Sequence, residues 1–534
     1  MLLQKSAREA LGLSLTDQVV IIDEAHNLMD AVENIYSATV SFAQLQRGRT
    51  QLTMYLQKFR NRLKGKNRVY VTQIVRLLDS LIAYLQRQAS DSKVSDHAVR
   101  IDDLMTGKGV DQINLFKLTR YLQESKLARK VDGYVVFEEQ NRQTPSKKLD
   151  EAYIAKPPVR DATIPVLTHV QNFLLTLMNP SAEGRFFYEH TEDRKDAVLR
   201  YMLLDPTNHF REIVEEARAV ILVGGTMSPM EDYIQHLFSY VDPARIMTLS
   251  CGHVIPPSNL VAWPLITSHD GIEFDFTFSR RNSTAMITNA GRVLLALIRN
   301  IPDGVVVFFP SYAYLNLCIS TWKSANIADS SPTSETLWHL INACKPVFTE
   351  AQNHNSPPHS QSTKARNQGS ETLLTSYSKA IVSSNDARGA LLLSVLNGSL
   401  SEGINFSDRL GRAVIVVGMP FPNPHSAEWK AKMEYIAKKM QHAQRDSGTI
   451  EAEKAGKAAA QDFYENATMR AVNQAIGRAI RHKDDYAAIL LMDRRYGTQR
   501  IQEKLPGWIK RSVRKPAAVG DIADGLKTFY AGRR

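Results

Sequence analysis

The stretch Val19-Val20-Ile21-Ile22-Asp23-Glu24-Ala25-His26 decides the fold, because four apolar residues run straight into two acids. A continuous β-branched run of this kind is typical of a parallel strand that is buried on both faces. Ligands of α/β sheets bind at the carboxyl ends of such strands. In motors that bind nucleoside triphosphates, one acid at this place holds Mg²⁺ and a neighbouring carboxylate aligns the attacking water. The stretch therefore predicts that Asp23 and Glu24 lie at a metal and nucleotide site, with Asp23 as the magnesium ligand and Glu24 as the base.

The same two acids have a purely structural alternative, in which they only cap the helix that follows the strand. The order Asp-Glu-Ala-His directly after the apolar run favours the catalytic interpretation. Under that interpretation, His26 would contact the opposite half of the motor and report the state of the nucleotide.

Five further apolar runs follow along the chain and alternate with helical stretches. They are Ala219–Val223, Gly304–Phe309, Ala390–Val395, Ala413–Val417 and Ala487–Met492. This alternation predicts an α/β fold with parallel sheets. Almost two hundred residues separate the first run from the second, and leucine-rich helical patterns at Val71–Gln86 and Ile113–Leu127 fill that gap. A mostly helical insertion is expected there.

These patterns divide the chain into four predicted segments. The first part of one lobe covers residues 1–34, a helical insertion covers 35–163, the rest of the first lobe covers 164–256, and a second lobe covers 257–534. A Pro-containing linker is expected near residues 260–275, and the polar stretch Gln352–Glu371 is expected to be a disordered surface loop.

Composition limits the classes of protein that remain. The 534 residues include 43% hydrophobic and 23% charged residues, as in ordinary globular proteins. No apolar run approaches the roughly 18 residues that a membrane span requires, so no membrane partner is expected. The first residues lack a secretory signal, which predicts an intracellular protein. Cys251, Cys318 and Cys344 are too widely spaced for a metal site and are expected to be core thiols.

The net charge of +11 favours a polyanionic partner but is modest for the length. A local run is sharper, since Lys58, Arg60, Arg62, Lys64, Lys66 and Arg68 alternate through eleven residues. The run predicts a surface that follows phosphates, and a solvated helix face is the alternative on sequence alone.

The segment QAIGRAIRH predicts a second half of the nucleotide site, because it contains Gln474, Arg478 and Arg481. At roughly 100° per residue these three side chains fall on one helix face, with an apolar set on the other. That apolar set is Met469, Val472, Ile476 and Ile480. Arginine at a phosphoryl-transfer site neutralises charge that develops on the γ-phosphate. A generic basic surface is the alternative, and periodicity does not exclude it.

Two strand-end loops add weaker signals. Gly224-Gly225-Thr226-Met227-Ser228 and Ser401-Glu402-Gly403-Ile404-Asn405-Phe406 each follow a predicted buried strand. Glycines and hydroxyls there let the backbone approach a phosphate or a nucleic acid closely. Such loops also occur in α/β proteins of other kinds.

Taken in order, VVIIDEAHN, VGGTMSPM, VVVFFPSYAYL, LLLSVLNGSLSEGINFSD and QAIGRAIRH resemble motifs II to VI of the XPD-like, iron-sulfur DEAH helicases of superfamily two. MLLQKSAREALGL, CGHVIPPSNL, EGINFSD and VGMPFPN resemble the chromosome-loss (ChlR-type) helicases within that group. The resemblance covers essentially the whole chain.

The resemblance implies two RecA-like lobes with ATP and Mg²⁺ in the cleft, a mostly helical Arch insertion, and 5′-to-3′ movement on single-stranded and forked DNA. It implies a nuclear protein that acts in sister-chromatid cohesion, replication and repair with cohesion and replication factors as partners. Carried onto this chain, it makes Asp23 and Glu24 the metal and water residues and Arg478 and Arg481 the arginine fingers. It adds His26, Gly225, Thr226 and Gln474 as cofactor contacts, with Glu402 and Gly403 lining the cleft.

Three departures from the family pattern bear on activity. The sequence has no G-x-x-x-x-G-K-[ST] phosphate loop, it lacks the four cysteines that would bind the family's 4Fe-4S cluster, and Ser399 stands where relatives commonly carry lysine. The first lobe is therefore expected to be incomplete, its start truncated, and the chain as written is expected not to hydrolyse ATP. A non-catalytic scaffold that binds DNA or cohesion factors is the alternative function. An RNA-remodelling enzyme is disfavoured because EGINF and CGHVIP resemble the DNA branch.

Overall fold

The computed structural model describes residues 2–90, 95–107, 109–142, 165–190, 196–326, 335–350, 363–383, 388–398, 400, 406–444 and 448–533. All six apolar runs that predict buried strands form strands, but the first two, Val19–Ile22 and Ala219–Leu222, are largely exposed rather than buried. The predicted α/β fold class is confirmed, with two parallel sheets in two separate places.

The strands are β1 (Val19–Ile22), β2 (Ala38–Ser41), β3 (His97–Val99), β4 (Gly184–His190), β5 (Ala197–Leu203), β6 (Ala219–Leu222), β7 (Leu260–Leu265), β8 (Gly304–Phe309), β9 (Val347–Thr349), β10 (Ala390–Val395), β11 (Ala413–Val417) and β12 (Ala487–Met492). The helices before β7 are α1 (Lys5–Leu11), α2 (Leu28–Tyr36), α3 (Phe42–Lys58), α4 (Gly65–Ala89), α5 (Ile101–Leu104), α6 (Leu115–Ser125), α7 (Leu127–Arg142), α8 (Val166–Thr176), α9 (Thr207–Glu216) and α10 (Glu231–Leu237). The helices after β7 are α11 (Thr284–Ile298), α12 (Tyr312–Ser324), α13 (Leu337–Cys344), α14 (Thr363–Val382), α15 (Ala427–Ala443), α16 (Thr449–Ile476), α17 (Gln499–Gln502), α18 (Gly507–Lys510) and α19 (Val519–Tyr530).

The larger parallel sheet forms the second lobe, with strand order β7-β12-β11-β8-β10-β9. Every residue of β8, β10, β11 and β12 is buried. Two apolar cores cover the two faces of this sheet, which is why these strands read as continuous apolar runs rather than alternating ones.

Leu260–Leu265 corrects a prediction, because this stretch is the edge strand β7 and not part of a linker. Pro264 explains the error, since proline weakens a strand signal. An edge strand tolerates proline because one side of its backbone needs no ladder partner. The predicted loop at 352–371 is also wrong in part: residues 351–362 lie outside the described residues, but α14 begins at Thr363.

The smaller parallel sheet pairs β1 with β6, in the register Val19↔Ala219 to Ile22↔Leu222. A large inserted unit lies between these two strands in the sequence. It combines helices α3–α8 with an antiparallel sheet in the order β2-β5-β4-β3.

One apolar core joins the helices and the antiparallel sheet of the inserted unit. It contains Leu77 and Leu81 of α4, Phe173 of α8, and Phe186 and Tyr201 of the sheet. The unit thus continues to about residue 203, which differs from the predicted boundary at 163. Leucine-rich helices signal the insertion in the sequence, but its strands alternate and are short, so they resemble the strands of a lobe. Residues 143–164 lie outside the described residues.

Helices α15 and α16 form an antiparallel pair that reaches from the second lobe to the inserted unit. Ala431 of α15 packs with Phe187, Met202 and Leu204 in a small buried cluster. Lys432 of the same helix binds Glu33 of α2 with an Nζ to Oε2 distance of 2.6 Å. These contacts join the second lobe to the inserted unit and to the first lobe. Among the described helices, none has both the length and the apolar composition for crossing a membrane.

Candidate functional site

The two acids lie where the first sheet ends. β1 stops at Ile22, and Glu24 adopts a left-handed backbone with φ 49° and ψ 41°, which turns the chain sharply. The Asp23 Oδ1 accepts a hydrogen bond from the Glu24 amide at 2.9 Å. The Ala25 amide donates to the Val223 carbonyl at 2.9 Å, so the acid loop is tied to the end of β6.

Neither acid acts as a helix cap. Glu24 occupies the N-cap position of the 3-10 turn Ala25–Asn27, but its side chain accepts no capping hydrogen bond. The N-cap position of α2 is occupied by Asn27 and not by an acid. Both Asp23 and Glu24 are exposed. The capping alternative therefore loses its physical basis at this loop, and the carboxylates face the space beyond the strand ends.

His26 links the acid loop to the second lobe. Its Nδ1 lies 3.1 Å from the Glu24 Oε2, and its Nε2 lies 3.5 Å from the Nε2 of Gln474 on α16. The Nδ1 edge of the ring therefore faces the Glu24 carboxylate, and the Nε2 edge faces the Gln474 amide. The Tyr233 hydroxyl donates to the His26 carbonyl at 3.3 Å, which holds the backbone. The imidazole thus touches both halves of the predicted site.

The loop after β6 brings Gly225 and Thr226 to the same place. A side chain at Gly477, just beyond the end of α16, would come within 3.4 Å of the Thr226 Cγ2. A side chain at Gly224 would lie 3.1 Å from the Met227 sulfur and 3.5 Å from the Ala25 amide, so the loop packs closely on the acid loop. Gly225 has open space beside its Cα.

Arg478 and Arg481 lie beyond the end of α16, which corrects the single-helix prediction. The helix stops at Ile476, and a turn follows in which the Arg478 amide bonds to the Ala475 carbonyl at 3.3 Å. The Arg478 carbonyl accepts from the Phe406 amide, also at 3.3 Å, so the chain leaves the helix toward the next loop. Only Gln474 of the predicted trio is helical. The opposite set, Met469, Val472, Ile476 and Ile480, is buried as predicted.

Glu24 of the first lobe and Arg481 of the second lobe act on one another electrostatically. Partial burial and the neighbouring charge of Arg478 lower the pKa of Arg481, whereas the Glu24 carboxylate raises it. Two adjacent cations repel each other, and an anion between them relieves that repulsion. The charge of this pair of arginines therefore favours an anionic ligand.

Sequence and structure comparisons place the chain among known proteins. Residues 294–512 match the family described as Helicase C-terminal domain, and residues 1–45 match the family DEAD_2. The ATP-dependent DNA helicase chl1 of Aspergillus clavatus is 52% identical over 538 residues, which cover 100% of this chain and 69% of that protein. The chain belongs to this helicase family.

Two other family members show how much of a relative the chain spans. Chl1 of Aspergillus niger is 52% identical over 100% of this chain but only 58% of its own length. Chl1 of Schizosaccharomyces pombe is 38% identical over 100% of this chain and 60% of its own length. Among solved structures, the chain is similar to S. tokodaii Xpd4. The alignment covers 97% of this chain and 81% of the Xpd4 chain, with a TM-score of 0.49 and 16% sequence identity.

Three side chains that sequence reasoning missed join the lobes of this chl1-family chain beside the site. Buried Asp232 of α10 accepts a hydrogen bond from Asn466 Nδ2 at 2.7 Å and pairs with Arg470, both on α16. Burial raises the pKa of Asp232, and the Arg470 charge opposes that rise. Arg470 is four residues before Gln474, so this contact lies one helical turn from the residue that touches His26. In the sequence, the signal for Arg470 is its i, i+4 spacing to the motif residue Gln474.

A further residue that the sequence does not signal, Asp485, holds the arginine turn from within the second lobe. Its fully buried carboxylate accepts from Arg412 Nη1 at 2.8 Å, from the Tyr486 amide at 2.9 Å and from the Arg481 amide at 3.3 Å. Asp408 lies alongside and binds His482 Nε2 at 2.8 Å. Oxygens of Asp408 and Asp485 and a nitrogen of His482 lie within 4.8 Å of one another. Because Asp485 already accepts from a guanidinium, this cluster suits an ion-pair network better than a metal.

Three residues that the sequence analysis singles out cannot be placed in the site. Ser399, Glu402 and Gly403 lie outside the described residues. The 4Fe-4S cluster that the resemblance implies does not fit the cysteines of this sequence, since three cysteines cannot supply four ligands. The expectation that all three are core thiols is wrong for Cys251, which is exposed, whereas Cys318 is buried. The roles of the acids and arginines remain predictions, and the structure relates the two halves through Glu24, His26, Gln474 and Arg481.

Proposed function

We propose that this protein is an ATP-dependent DNA helicase whose nucleotide site forms between the two parallel sheets. One observation carries the proposal: Glu24 at the end of β1 interacts with both His26 and Arg481, and His26 contacts Gln474. An acid and an arginine of the kinds that phosphoryl transfer requires thus come from different lobes and interact with one another. Movement of the lobes would then assemble or separate the site.

Asp23 and Glu24 suit the metal side of the reaction. Their carboxylate oxygens are the ligands that Mg²⁺ prefers, and both face away from the packed protein. When bound, Mg²⁺ neutralises charge on the triphosphate. Glu24 would orient the attacking water and accept its proton, because it is the carboxylate held against His26.

Arg478 and Arg481 suit the opposite side of the phosphates. Their charges would stabilise the γ-phosphoryl group as charge spreads over its oxygens. The backbone tie from Arg481 to Asp485 fixes the turn that carries them. Thr226 and Gly225 lie beside that turn and would transmit the state of the nucleotide to the first lobe.

The finer parts of the proposal come from the family resemblance. We propose movement in the 5′-to-3′ direction on single-stranded and forked DNA, a nuclear location, and a role in sister-chromatid cohesion, replication and repair. Cohesion and replication factors are the proposed protein partners. The names of the relatives, ATP-dependent DNA helicases, support the general activity.

The test uses a chimera that joins this chain to the part of the Aspergillus niger relative outside the matched region. Phosphate release stimulated by single-stranded DNA, and strand displacement from a fork with a 5′ tail, are expected. Both should vanish in an Asp23→Asn, Glu24→Gln variant that still binds DNA. The 534-residue chain alone, without a phosphate loop in its sequence, should bind nucleotide weakly and release no phosphate. Release by the chain alone that vanishes with the same substitutions would contradict that expectation.

A chimera that binds DNA but never releases phosphate would overturn the proposal in favour of the scaffold alternative. Stimulation by RNA in place of DNA would instead favour an RNA-remodelling enzyme. A 3′-tailed fork gives the direction, since displacement from it alone would contradict 5′-to-3′ movement.

A further inference from the structure

The positive charge of this chain is concentrated in one short part of the inserted unit. Residues 34–78 contain nine lysines and arginines and no aspartate or glutamate. The whole chain carries 66 basic and 55 acidic residues. The 489 residues outside this segment therefore contain 57 basic and 55 acidic residues and are nearly neutral. A basic stripe of this kind is the electrostatic signature of a polyanion-binding surface.

Six of the nine cations lie at the turn of a long helical hairpin. Helix α3 begins directly after β2 with a capping box at Ser41 and ends at Lys58, and α4 starts at Gly65 and runs 25 residues back. At 1.5 Å per residue, the 17 residues of α3 place the turn roughly 25 Å from β2. The segment Lys58–Arg68, here called the hairpin tip, is therefore the far end of the inserted unit from its sheet.

The tip cations point to solvent. Arg60, Arg62, Lys64, Lys66 and Arg68 are all exposed. Within the part of the chain that the structure describes, no carboxylate lies within 4.0 Å of these five side chains. Elsewhere on the same unit, Arg49 pairs with Asp79 and Arg120 with Glu124. The tip thus differs from an ordinary solvated helix face, on which cations alternate with acids.

Aromatic side chains brace the base of the tip. The Phe59 ring packs against Tyr55 at a centroid distance of 4.7 Å and against Tyr134 of α7 at 5.3 Å. This packing orders the end of α3, so the cations are presented on a fixed scaffold. A rigid scaffold lowers the entropy that binding would otherwise cost.

We propose that the hairpin tip binds the phosphate backbone of a nucleic acid at a place separate from the nucleotide site. The proposal rests on the proposed helicase function, which supplies the nucleic acid. Stable protein interfaces centre on apolar side chains that become buried. The exposed side chains of the tip are mainly cations, and Val69 is the exposed large apolar residue beside them. Contacts from lysine and arginine to phosphates hold the strand without choosing its sequence. The tip therefore positions DNA independently of ATP.

The test measures DNA affinity of the 534-residue chain by fluorescence anisotropy over a salt series. The tip variant replaces Arg60, Arg62, Lys64, Lys66 and Arg68 with glutamine. A matched control replaces five exposed cations of the second lobe, Arg299, Lys430, Lys454, Lys510 and Lys515, with glutamine and has the same net charge. Circular dichroism and the thermal midpoint verify that both variants are folded.

The tip variant should bind a single-stranded oligonucleotide at least tenfold more weakly near 0.1 M salt. Its plot of log affinity against log salt should flatten by about 3.5 for single strands and about 4.5 for duplex, as expected when five phosphate contacts are lost. The single-stranded and duplex arms then show which form the tip holds. The matched control should keep most of the slope.

Equal affinity and slope for the tip variant and the unaltered chain would overturn the proposal. So would loss of binding to polyglutamate without loss of binding to DNA, because that result would indicate an acidic protein partner. Either result leaves the proposed helicase function standing, since phosphate release by the chimera tests that function separately.

Discussion

The two parallel sheets are made from the same kind of apolar sequence, but they are covered very differently. In the second lobe, every residue of β8, β10, β11 and β12 is buried. In the first sheet, Ile21 is 64% exposed and Val19 is 50% exposed, and Ile221 across the pair is 46% exposed. A continuous apolar run thus indicates a strand that is suited to burial on both faces. Among the described residues, only the second lobe covers both faces of its sheet.

The two halves of the candidate site inherit this difference. Asp23 and Glu24 follow an exposed two-stranded sheet and are held by a few backbone hydrogen bonds. Arg478 and Arg481 follow a long helix over a six-stranded sheet and are anchored through buried Asp485. We expect the arginine half to be rigid in this chain and the acid half to depend on further support.

The largest effect on stability is expected at Asp485. Asp485→Ala leaves the buried Arg412 guanidinium without its carboxylate, which should cost about 4 kcal/mol of the free energy of unfolding. Asp484→Ala, at an exposed neighbour, should change it by less than about 0.5 kcal/mol. Urea denaturation of both variants makes the comparison, and a similar small loss for both would show that the second lobe is not anchored at Asp485.

A pair of matched substitutions separates the two sheets. Ile415→Thr on fully buried β11 should cost about 3 kcal/mol, because it removes apolar contacts and buries a hydroxyl without a partner. Ile21→Thr on exposed β1 should change the free energy of unfolding by less than about 0.5 kcal/mol. Urea midpoints measure both, and a cost at Ile21 equal to that at Ile415 would mean that the first sheet is covered in solution.

The contact between the lobes should weaken in acid. Burial lowers the pKa of His236 from 6.5 to about 4, and the ring packs against Phe463 of α16 at 5.0 Å. The unfolded chain therefore binds this proton more readily, so the stability from neutral His236 is complete above about pH 6.5 and is lost as the pH falls toward 4. From pH 7 to 5 the loss should be about 2 kcal/mol.

His236→Gln should reduce that pH dependence, and His339→Gln, at an exposed histidine, should retain it. Urea unfolding at the two pH values provides the measurement. An unchanged pH dependence in His236→Gln would assign the acid sensitivity to other groups.

Much of the fold follows from sequence because its signals are local. Each run such as Ala413–Val417 combines β-branched residues with flanking turns, and each became a strand. β7 was missed because Pro264 masks an edge strand, and β4 and β5 were assigned to the wrong unit because chain order does not reveal which core a strand joins. The motifs name Glu24, His26 and Gln474, which contact one another in the structure, whereas Asp232 and Asp485 lie outside the motifs and only tertiary contacts show their roles.

The end of α16 was also beyond the reach of periodicity. The 100° spacing put Arg478 and Arg481 on a helix that stops at Ile476. Gly477 lowers helix propensity at that point, and the amide of Phe406 captures the Arg478 carbonyl from another loop. Three-dimensional packing, and not helical phase, brings Arg481 near Glu24.

The central claim is that the two lobes build one nucleotide site, and turnover by an Arg481→Ala variant of the chimera tests it most directly. The account predicts a fall in kcat of about 10³-fold with far less effect on nucleotide binding, because the lost cation acts mainly on the transition state. Arg299→Ala, at an exposed arginine of the same lobe, should leave kcat unchanged. Near-normal turnover in Arg481→Ala would contradict the claim and remove the second lobe from the chemistry.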